Sequence, residues 1–274
     1  MKAESIFARI SGRILLLLIV LMTLLPFYLL VVNSFKLETD IIKDPFGLPA
    51  EPMAINYAKA WPQIVGPMLH SIIVATATII ITCLVSLLAA YSFARFQFFG
   101  KELLYFGVIA LLMIPGFVLL IPQFVQVVNL GLYDSYIALI FVPAAYQVAM
   151  GTFLLRTTIE GISRSLFESA VMEGATDLQI LRYIVLPMCR PTIATVTIMT
   201  GLSSWNNYIW PLVVSGSEET KQISVALTGI IRDAVYGKGI QFAGYVCASL
   251  PIILLFIIAN KSFVAGLSQG AIKG

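Results

Sequence analysis

Six apolar stretches constrain this 274-residue chain more than any other feature, because each is long enough to cross a lipid bilayer as a helix. A helical span needs about 20 predominantly apolar residues. The stretches are residues 14–32, 71–93, 103–125, 136–155, 191–214 and 239–263. Inside lipid the backbone has no water to bond, so a single span must be a helix. The sequence therefore predicts an all-α integral membrane protein with six transmembrane helices in one domain.

The composition agrees with lipid as the surrounding solvent. Only 11% of the residues are charged and 59% are hydrophobic, whereas a soluble domain carries about 25% charged residues. The net charge of +3 is spread over single residues, so no nucleic-acid partner is expected. The chain has one histidine and three separated cysteines. We therefore expect neither a metal site nor a catalytic site.

The distribution of Lys and Arg predicts the orientation of the spans. Eleven of the 17 basic residues fall on the side that holds both termini, and six fall on the other side. Because loops rich in Lys and Arg stay on the cytoplasmic side, both termini are expected in the cytoplasm. The chain is therefore predicted to be a multi-pass protein of the bacterial inner membrane. Residues 14–32 exceed a signal-peptide core, and no small-residue cleavage site follows, so this stretch is interpreted as an uncleaved first span.

The predicted topology places four further segments. Loop 163–182 and tail 264–274 would be cytoplasmic, and the loops 36–67 and 215–238 would lie outside. Within the first outer loop, residues 56–61 are predicted to form a short surface helix that follows a proline-rich turn.

Loop 163–182 has the pattern of an amphipathic helical element. Its apolar residues recur at helical spacing, and Gly174 in the middle predicts a break between two short helices. Ser163 or Ser165 is expected to cap the first helix. Such an element either lies in lipid headgroups or docks into a groove on a partner. Four acidic residues of this region argue against an anionic lipid surface and favour docking onto a partner; they are Glu160, Glu168, Glu173 and Asp177.

The same loop resembles the cytoplasmic signature of the membrane subunits of binding-protein-dependent ABC importers. That signature is Glu-Ala-Ala, three residues, Gly, nine residues and Ile-x-Leu-Pro. The chain has Glu168-Ser169-Ala170, then Gly174, then Ile184-Val185-Leu186-Pro187, with both gaps matching. Ser169 stands where the family has its first alanine, and Glu173 stands where an aspartate is usual.

The resemblance implies a type I importer fold and a set of partners. These are a second, homologous membrane subunit, two ATPase subunits, an extracytoplasmic solute-binding protein and a carbohydrate substrate. Because the chain lacks the G-x-x-x-x-G-K-[ST] loop, ATP with its magnesium would bind to the ATPases only. The residues implied to couple to the ATPases are Glu168, Ser169, Ala170, Gly174, Ile184, Leu186 and Pro187.

Other stretches are similar to the carbohydrate branch of the family, of the type of the smaller maltose-transporter membrane subunit. They begin at Tyr91, Leu130, Trp205 and Phe263. The last resembles a C-terminal tail that reaches the ATPases, which implies roles for Gly266, Gly270 and Lys273. The loop after residue 214 resembles a segment that reaches into the docked solute-binding protein.

The substrate pathway is predicted from polar residues at membrane depth. An amide in hydrocarbon is costly unless it is bonded, so it faces either a partner helix or a cavity. The candidates are Trp205, Asn206, Asn207 and Tyr208, with Tyr146, Gln147 and Gln241 as weaker ones. Asn206 and Asn207 could equally join helices together.

Three alternative functions stay open at this point. The same signature occurs in importers of glycerol phosphate, polyols, amino acids or peptides, although a phosphate would require buried basic residues. An ion-coupled secondary transporter usually has ionisable residues within its spans, and these spans contain almost none. An intramembrane enzyme would need convergent His, Asp or Cys side chains, which the spans do not offer.

Overall fold

The computed structural model describes the backbone of residues 6–232 and 237–271, and the side chains of residues 11–230 and 237–258. Throughout these residues the regular structure is helical. The helices are α1 Ile6–Ser34, α2 Glu38–Lys43, α3 Ile55–Arg95, α4 Lys101–Ala110, α5 Leu120–Asn129, α6 Tyr136–Glu160, α7 Arg164–Met172, α8 Asp177–Ile180, α9 Leu186–Met188, α10 Arg190–Trp205, α11 Ile209–Val214, α12 Ile223–Arg232 and α13 Lys238–Ala271.

Four of the described helices are long and apolar enough to cross a bilayer without a break. They contain Ser11–Ser34, Ile55–Arg95, Tyr136–Glu160 and Lys238–Ile258. Two bent helix pairs also qualify if each pair counts as one span, which brings the total to six. The most apolar stretch of the first helix, α1, contains no buried residue, so its surface is open to lipid or to another subunit.

Two predicted spans differ from the observed helices. The stretch 103–125 is not one helix, because α4 and α5 are separated by 3₁₀ turns on either side of Pro115 and meet at 95°. Proline removes a backbone donor and disfavours a helical residue before it, which accounts for the break. The stretch 191–214 contains α10 and α11, with a non-helical link at residues 206–208.

The predicted short surface helix at 56–61 is wrong as a separate element. These residues form the first turns of α3, which continues unbroken to Arg95. Pro62 and Pro67 lie within this helix, and a 41-residue helix continues through both. The prediction failed because the apolar pattern of the span starts later than the helix does.

The chain divides into two compact units, and the first is drawn from Met1–Val65 and Ala226–Leu250. Its polar centre follows the end of α1. The Asn56 amide donates to the carbonyls of Ser34 at 2.9 Å and Lys36 at 3.0 Å. The buried Lys36 ammonium donates to the Asp44 carbonyl at 2.7 Å. The bond to the Ser34 carbonyl satisfies a backbone group that the end of α1 leaves unpaired.

The second unit comprises Gly66–Val225 and Pro251–Gly274, and small residues set its helix packing. A Cβ at Gly151 of α6 would collide with the Ser86 hydroxyl of α3. Close approach of this kind is typical of helix packing in membranes, where contacts replace the hydrophobic effect. Small hydroxyl residues on α3, α6 and α10 are fully buried; they are Thr78, Thr82, Ser86, Thr152 and Thr200.

Candidate functional site

The segment with the importer signature, residues 164–188, is called the coupling segment. Its first helix, α7, buries one face in the second unit. Phe167 is 2% exposed and Ala170 is 9% exposed. They join a core formed by the ends of α3 and α6, which contribute Leu87, Ala90, Tyr91, Leu155 and Ile159. Because the apolar residues of α7 recur at helical spacing, they lie on one face, and this face packs the helix against the core.

A turn at Gly174 redirects the chain between α7 and α8. Gly174 has φ +79°, a left-handed conformation that glycine adopts without steric cost. The amides of Gly174 and Ala175 donate to the carbonyls of Val171 and Ala170, each at 3.0 Å. These bonds satisfy carbonyls at the end of α7, as a glycine C-cap does.

The predicted cap of α7 by a serine side chain is wrong in its bonding. Ser163 does occupy the N-cap position, but its side chain makes no capping bond. Its hydroxyl is instead 2.7 Å from the Ser165 hydroxyl. The next helix has the stronger cap, because Thr176 and Gln179 form a reciprocal capping box at the start of α8.

The Ile-x-Leu-Pro end of the signature forms an elbow. A π-helical turn at Leu181–Val185 leads into α9, which contains Leu186 and Pro187. The helices Asp177–Met188 and Arg190–Trp205 then meet at 74°. Val185 and Cys189 are fully buried at this corner, whereas Ile184 is only half-buried. The elbow therefore connects the coupling segment directly to α10.

Two side chains at the end of α3 hold the coupling segment, and the sequence did not predict either role. The Tyr91 hydroxyl donates to the Asp177 carboxylate at 3.2 Å. The Arg95 guanidinium lies over the Phe167 ring, 4.0 Å from its centroid, in a favourable cation–π contact. Both residues belong to the stretch at Tyr91 that resembles carbohydrate importers, so that resemblance was the available signal.

The opposite face of the coupling segment is exposed and partly apolar. Val171 is 55% exposed, Leu178 73% and Met172 87%. Glu168 is also exposed and pairs with Arg164 at 3.4 Å along the helix. Exposed apolar side chains beside charges are typical of a surface that binds another protein.

A second cluster, also unpredicted, joins α4 to α6 near the coupling segment. Arg156 is 9% exposed. Its guanidinium bonds Glu160 at 2.7 Å and Glu102 at 3.1 Å, and it lies 3.8 Å from the centroid of the Tyr105 ring. The i,i+4 spacing to Glu160 was visible in the sequence, whereas the partner on α4 depends on the tertiary fold.

A cavity of about 520 Å³ lies where the α4–α5 break, α6 and the α10–α11 link meet. This volume is within the range of about 300–1,000 Å³ for small-molecule sites. Its polar lining residues are Gln123, Tyr146, Gln147, Ser203, Asn206 and Asn207. Aromatic rings complete the lining; they belong to Phe117, Tyr208 and Trp210.

The predicted pathway residues divide between this cavity and other places. Asn206, Asn207, Tyr208, Tyr146 and Gln147 line the cavity. Trp205 does not line it and is a buried residue of α10, 9% exposed. Asn206, Asn207 and Tyr208 lie in the non-helical link after α10, whereas Trp205 is the last residue of α10 and is buried. The remaining candidate, Gln241, belongs to α13, where its amide donates to the Ile230 carbonyl at 3.4 Å.

The loop 215–222 is held in one shape by Asp134. The Asp134 carboxylate accepts hydrogen bonds from the amides of Gly216 at 2.9 Å and Ser217 at 3.2 Å, and from the Thr220 hydroxyl. Asp134 itself has φ +56°. These bonds, that of Thr220 foremost, hold the pKa of Asp134 below its ordinary value.

Comparison with known proteins identifies the chain. Residues 82–269 match the family described as the binding-protein-dependent transport system inner membrane component. The chain belongs to this family. Among its relatives, a probable ABC transporter permease protein of Bacillus subtilis, YurM, is 34% identical over 91% of this chain and 83% of that protein. A diacetylchitobiose uptake system permease protein of Streptomyces coelicolor, NgcG, is 30% identical over 99% and 91%.

A solved bacterial ABC transporter for import of the acidic polysaccharide alginate has the same fold. The TM-score is 0.83 at 24% identity, covering 96% of this chain and 100% of that one. The predicted type I importer transmembrane fold is thereby confirmed. As an ABC transporter permease related to sugar permeases, the protein is a multi-pass transport component rather than an enzyme.

The remaining sequence predictions about this permease concern its tail and metal binding. The backbone of Gly266 and Gly270 lies in α13, whereas their surroundings and Lys273 lie outside the described residues. Within the described part of the permease, no three His, Cys, Asp or Glu side chains converge as metal ligands would.

Acidification is expected to loosen loop 215–222 of the permease. Because the folded pKa of Asp134 lies below the unfolded value of about 3.9, its contribution is complete above that value and is lost as pH falls through the folded pKa. Hydrogen exchange of the Gly216 and Ser217 amides, corrected for intrinsic rates, should therefore accelerate severalfold between pH 5 and pH 3. Asp134→Asn is the control, because asparagine also tolerates positive φ. In this variant, the exchange rates of the same two amides divided by their intrinsic rates should not change with pH. An equal pH response in both proteins would contradict this role of Asp134.

Proposed function

We propose that this permease is one membrane subunit of an ATP-driven carbohydrate importer, and that its coupling segment docks onto a separate ATPase subunit. The observation that carries the proposal is the two-sided character of the coupling segment. One face is anchored in the core by Phe167 and Ala170. The other face presents exposed apolar side chains, of which Met172 is the most exposed.

This arrangement supports a rigid lever between two moving parts. An element that is firmly packed against α3 and α6 transmits displacement to the spans instead of bending. The elbow then leads straight into α10, which borders the cavity through Ser203. The acids beside the exposed apolar residues disfavour an anionic membrane surface as the docking partner.

The proposal includes the partners and the orientation that the family resemblance implies. A second homologous membrane subunit completes the pathway, a solute-binding protein delivers the substrate from outside, and ATP with magnesium is bound and hydrolysed on the ATPase pair. The excess of basic residues beside both termini supports cytoplasmic ends. Carbohydrate as the substrate class is supported by relatives named for arabinooligosaccharides, for melibiose, raffinose and stachyose, and for lactose.

The test is ATP hydrolysis by the complex reconstituted in proteoliposomes with its solute-binding protein. The panel contains diacetylchitobiose, arabinotriose, raffinose, lactose, an alginate trisaccharide, sorbitol and glycerol 3-phosphate. We expect one saccharide to stimulate both hydrolysis and uptake. Stimulation only by sorbitol or glycerol 3-phosphate would replace carbohydrate as the substrate class. Uptake driven by an ion gradient without hydrolysis would overturn the proposal.

Glu168→Lys tests the docking face in the same vesicles. Glu168 is exposed, so the substitution should leave folding intact while reversing a charge at the proposed interface. We expect stimulated hydrolysis to fall about tenfold, which corresponds to a loss of about 1.4 kcal/mol. Arg164→Ala is the matched control, because it removes the same helical ion pair but keeps the carboxylate. Equal activity of the two variants would place the docking face elsewhere.

A further inference from the structure

The walls of the cavity between α5, α6 and the α10–α11 link combine amide, hydroxyl and aromatic side chains. Of the 14 described residues that line it, none carries a charged side chain. Six of them carry an amide or a hydroxyl, namely Gln123, Tyr146, Gln147, Ser203, Asn206 and Asn207. The aromatic residues Phe117, Tyr208 and Trp210 also line it. The cavity therefore offers hydrogen bonds without a formal charge.

The amides in the cavity wall are held in place and still have bonding capacity. The Gln123 amide donates to the Tyr146 hydroxyl at 2.9 Å, and the Gln147 amide donates to the Ser203 hydroxyl at 2.8 Å. Each bond uses one of the two amide hydrogens, and it leaves the carbonyl oxygen and the second hydrogen for a ligand. A ligand that is both donor and acceptor, such as a sugar hydroxyl, suits such groups.

Of the aromatic walls, that of Trp210 is held in place. The Trp210 indole donates to the Ala138 carbonyl at 3.0 Å, which orients its ring. Phe117 follows the break beside Pro115 and is 74% exposed. Mostly apolar walls with a few placed polar groups are typical of small-molecule sites, and ring faces suit the apolar C–H faces of sugar rings.

None of the described residues in these walls is basic, which bears on the charge of the substrate. A carboxylate moved out of water needs a pairing cation, most often Arg, because an unpaired buried charge is strongly destabilised. An uncharged sugar loses only hydroxyl–water bonds, which the amides can replace. We propose that this cavity contacts the substrate during translocation and that its substrate is an uncharged oligosaccharide rather than a uronate or phosphate. The inference rests on the proposed function and names the site and the substrate class within it.

Gln123→Glu is the variant that tests the inference. The glutamate keeps the size of the side chain, and it can accept a hydrogen bond from the Tyr146 hydroxyl in place of the one that the Gln123 amide donates to it, so the fold is expected to persist. It removes the amide donor and adds a charge to the neutral wall. Gln126→Glu makes the same change one turn away on α5, at an exposed position outside the cavity. The pair therefore separates an effect of the cavity from an effect of charge on the helix.

The measurement is uptake per ATP hydrolysed, in proteoliposomes supplied with one solute-binding protein and each saccharide of the panel above. Gln123→Glu should lower this ratio about tenfold for the transported neutral saccharide, and Gln126→Glu should leave it unchanged. Wild-type uptake of the alginate trisaccharide in preference to the neutral saccharides would overturn the inference while the proposed function stands. An unchanged ratio in Gln123→Glu would also overturn it. If no saccharide stimulates hydrolysis in the wild type, the proposed function itself fails.

Discussion

Replacing Gly174 with valine is expected to lower stimulated ATP hydrolysis and uptake by roughly tenfold or more, while the complex still inserts in the membrane. Gly174 has φ +79°, and an L-residue pays about 1–2 kcal/mol in the left-handed region, with a β-branched residue at the upper end. Apart from the two adjoining residues, no described atom lies within 4 Å of where a Cβ at this position would be. The expected cost is therefore conformational, and it falls on the turn that places α8 relative to α7.

Gly174→Asn is the matched control for this prediction. Asparagine adopts the left-handed region far more readily than valine does, so it should keep most of the activity. Hydrolysis and uptake are measured in the same vesicles, together with hydrogen exchange of the Gly174 and Ala175 positions. Equal losses in both variants would show that the left-handed turn is not what matters at residue 174.

Phe167→Ala should release α7 from the core of the second unit. Truncation of a buried phenylalanine costs about 3–5 kcal/mol in protein cores, and the contact of the ring with Arg95 at 4.0 Å is lost as well. We expect amide exchange in α7 to accelerate by about a hundredfold or more, and the ATPase subunits to stop copurifying with the permease. Coupled uptake should be lost with them.

Leu166→Ala provides the comparison for Phe167→Ala on the same helix. Leu166 is 41% exposed, so its truncation should change amide exchange of α7 by only a few-fold. The decisive quantity is the difference between the two variants in exchange of the Glu173 and Gly174 amides. Exchange that is equally slow in both would mean that α7 is held by something other than its buried face.

The segments that the sequence located well are those determined by neighbouring residues. Span length follows from a continuous apolar stretch, and the turn after α7 follows from a glycine between two helical patterns. The importer signature is also a local pattern of about 20 residues. Sequence alone therefore identified an all-helical importer permease and the position of its coupling segment.

The breaks within the spans were harder to predict because proline and asparagine have several outcomes in a membrane helix. Pro115 breaks the helix between α4 and α5, whereas Pro143 lies within the continuous helix α6. Asn206 and Asn207 end α10 and open the α10–α11 link. Whether such a residue bends, breaks or remains within a helix depends on what neighbouring helices offer to the freed backbone groups.

The face that each span buries was decided only by the tertiary structure. In water, the periodicity of polar residues marks the exposed side of a helix. In lipid both sides are apolar, so the pattern does not distinguish Trp205, which packs against other helices, from Asn206, which lines the cavity. The sequence by itself determined the class of protein and the position of its coupling segment in the chain. The fold alone determined the cavity and the contacts of Tyr91, Arg95 and Asp134, because these join residues that are far apart in the chain.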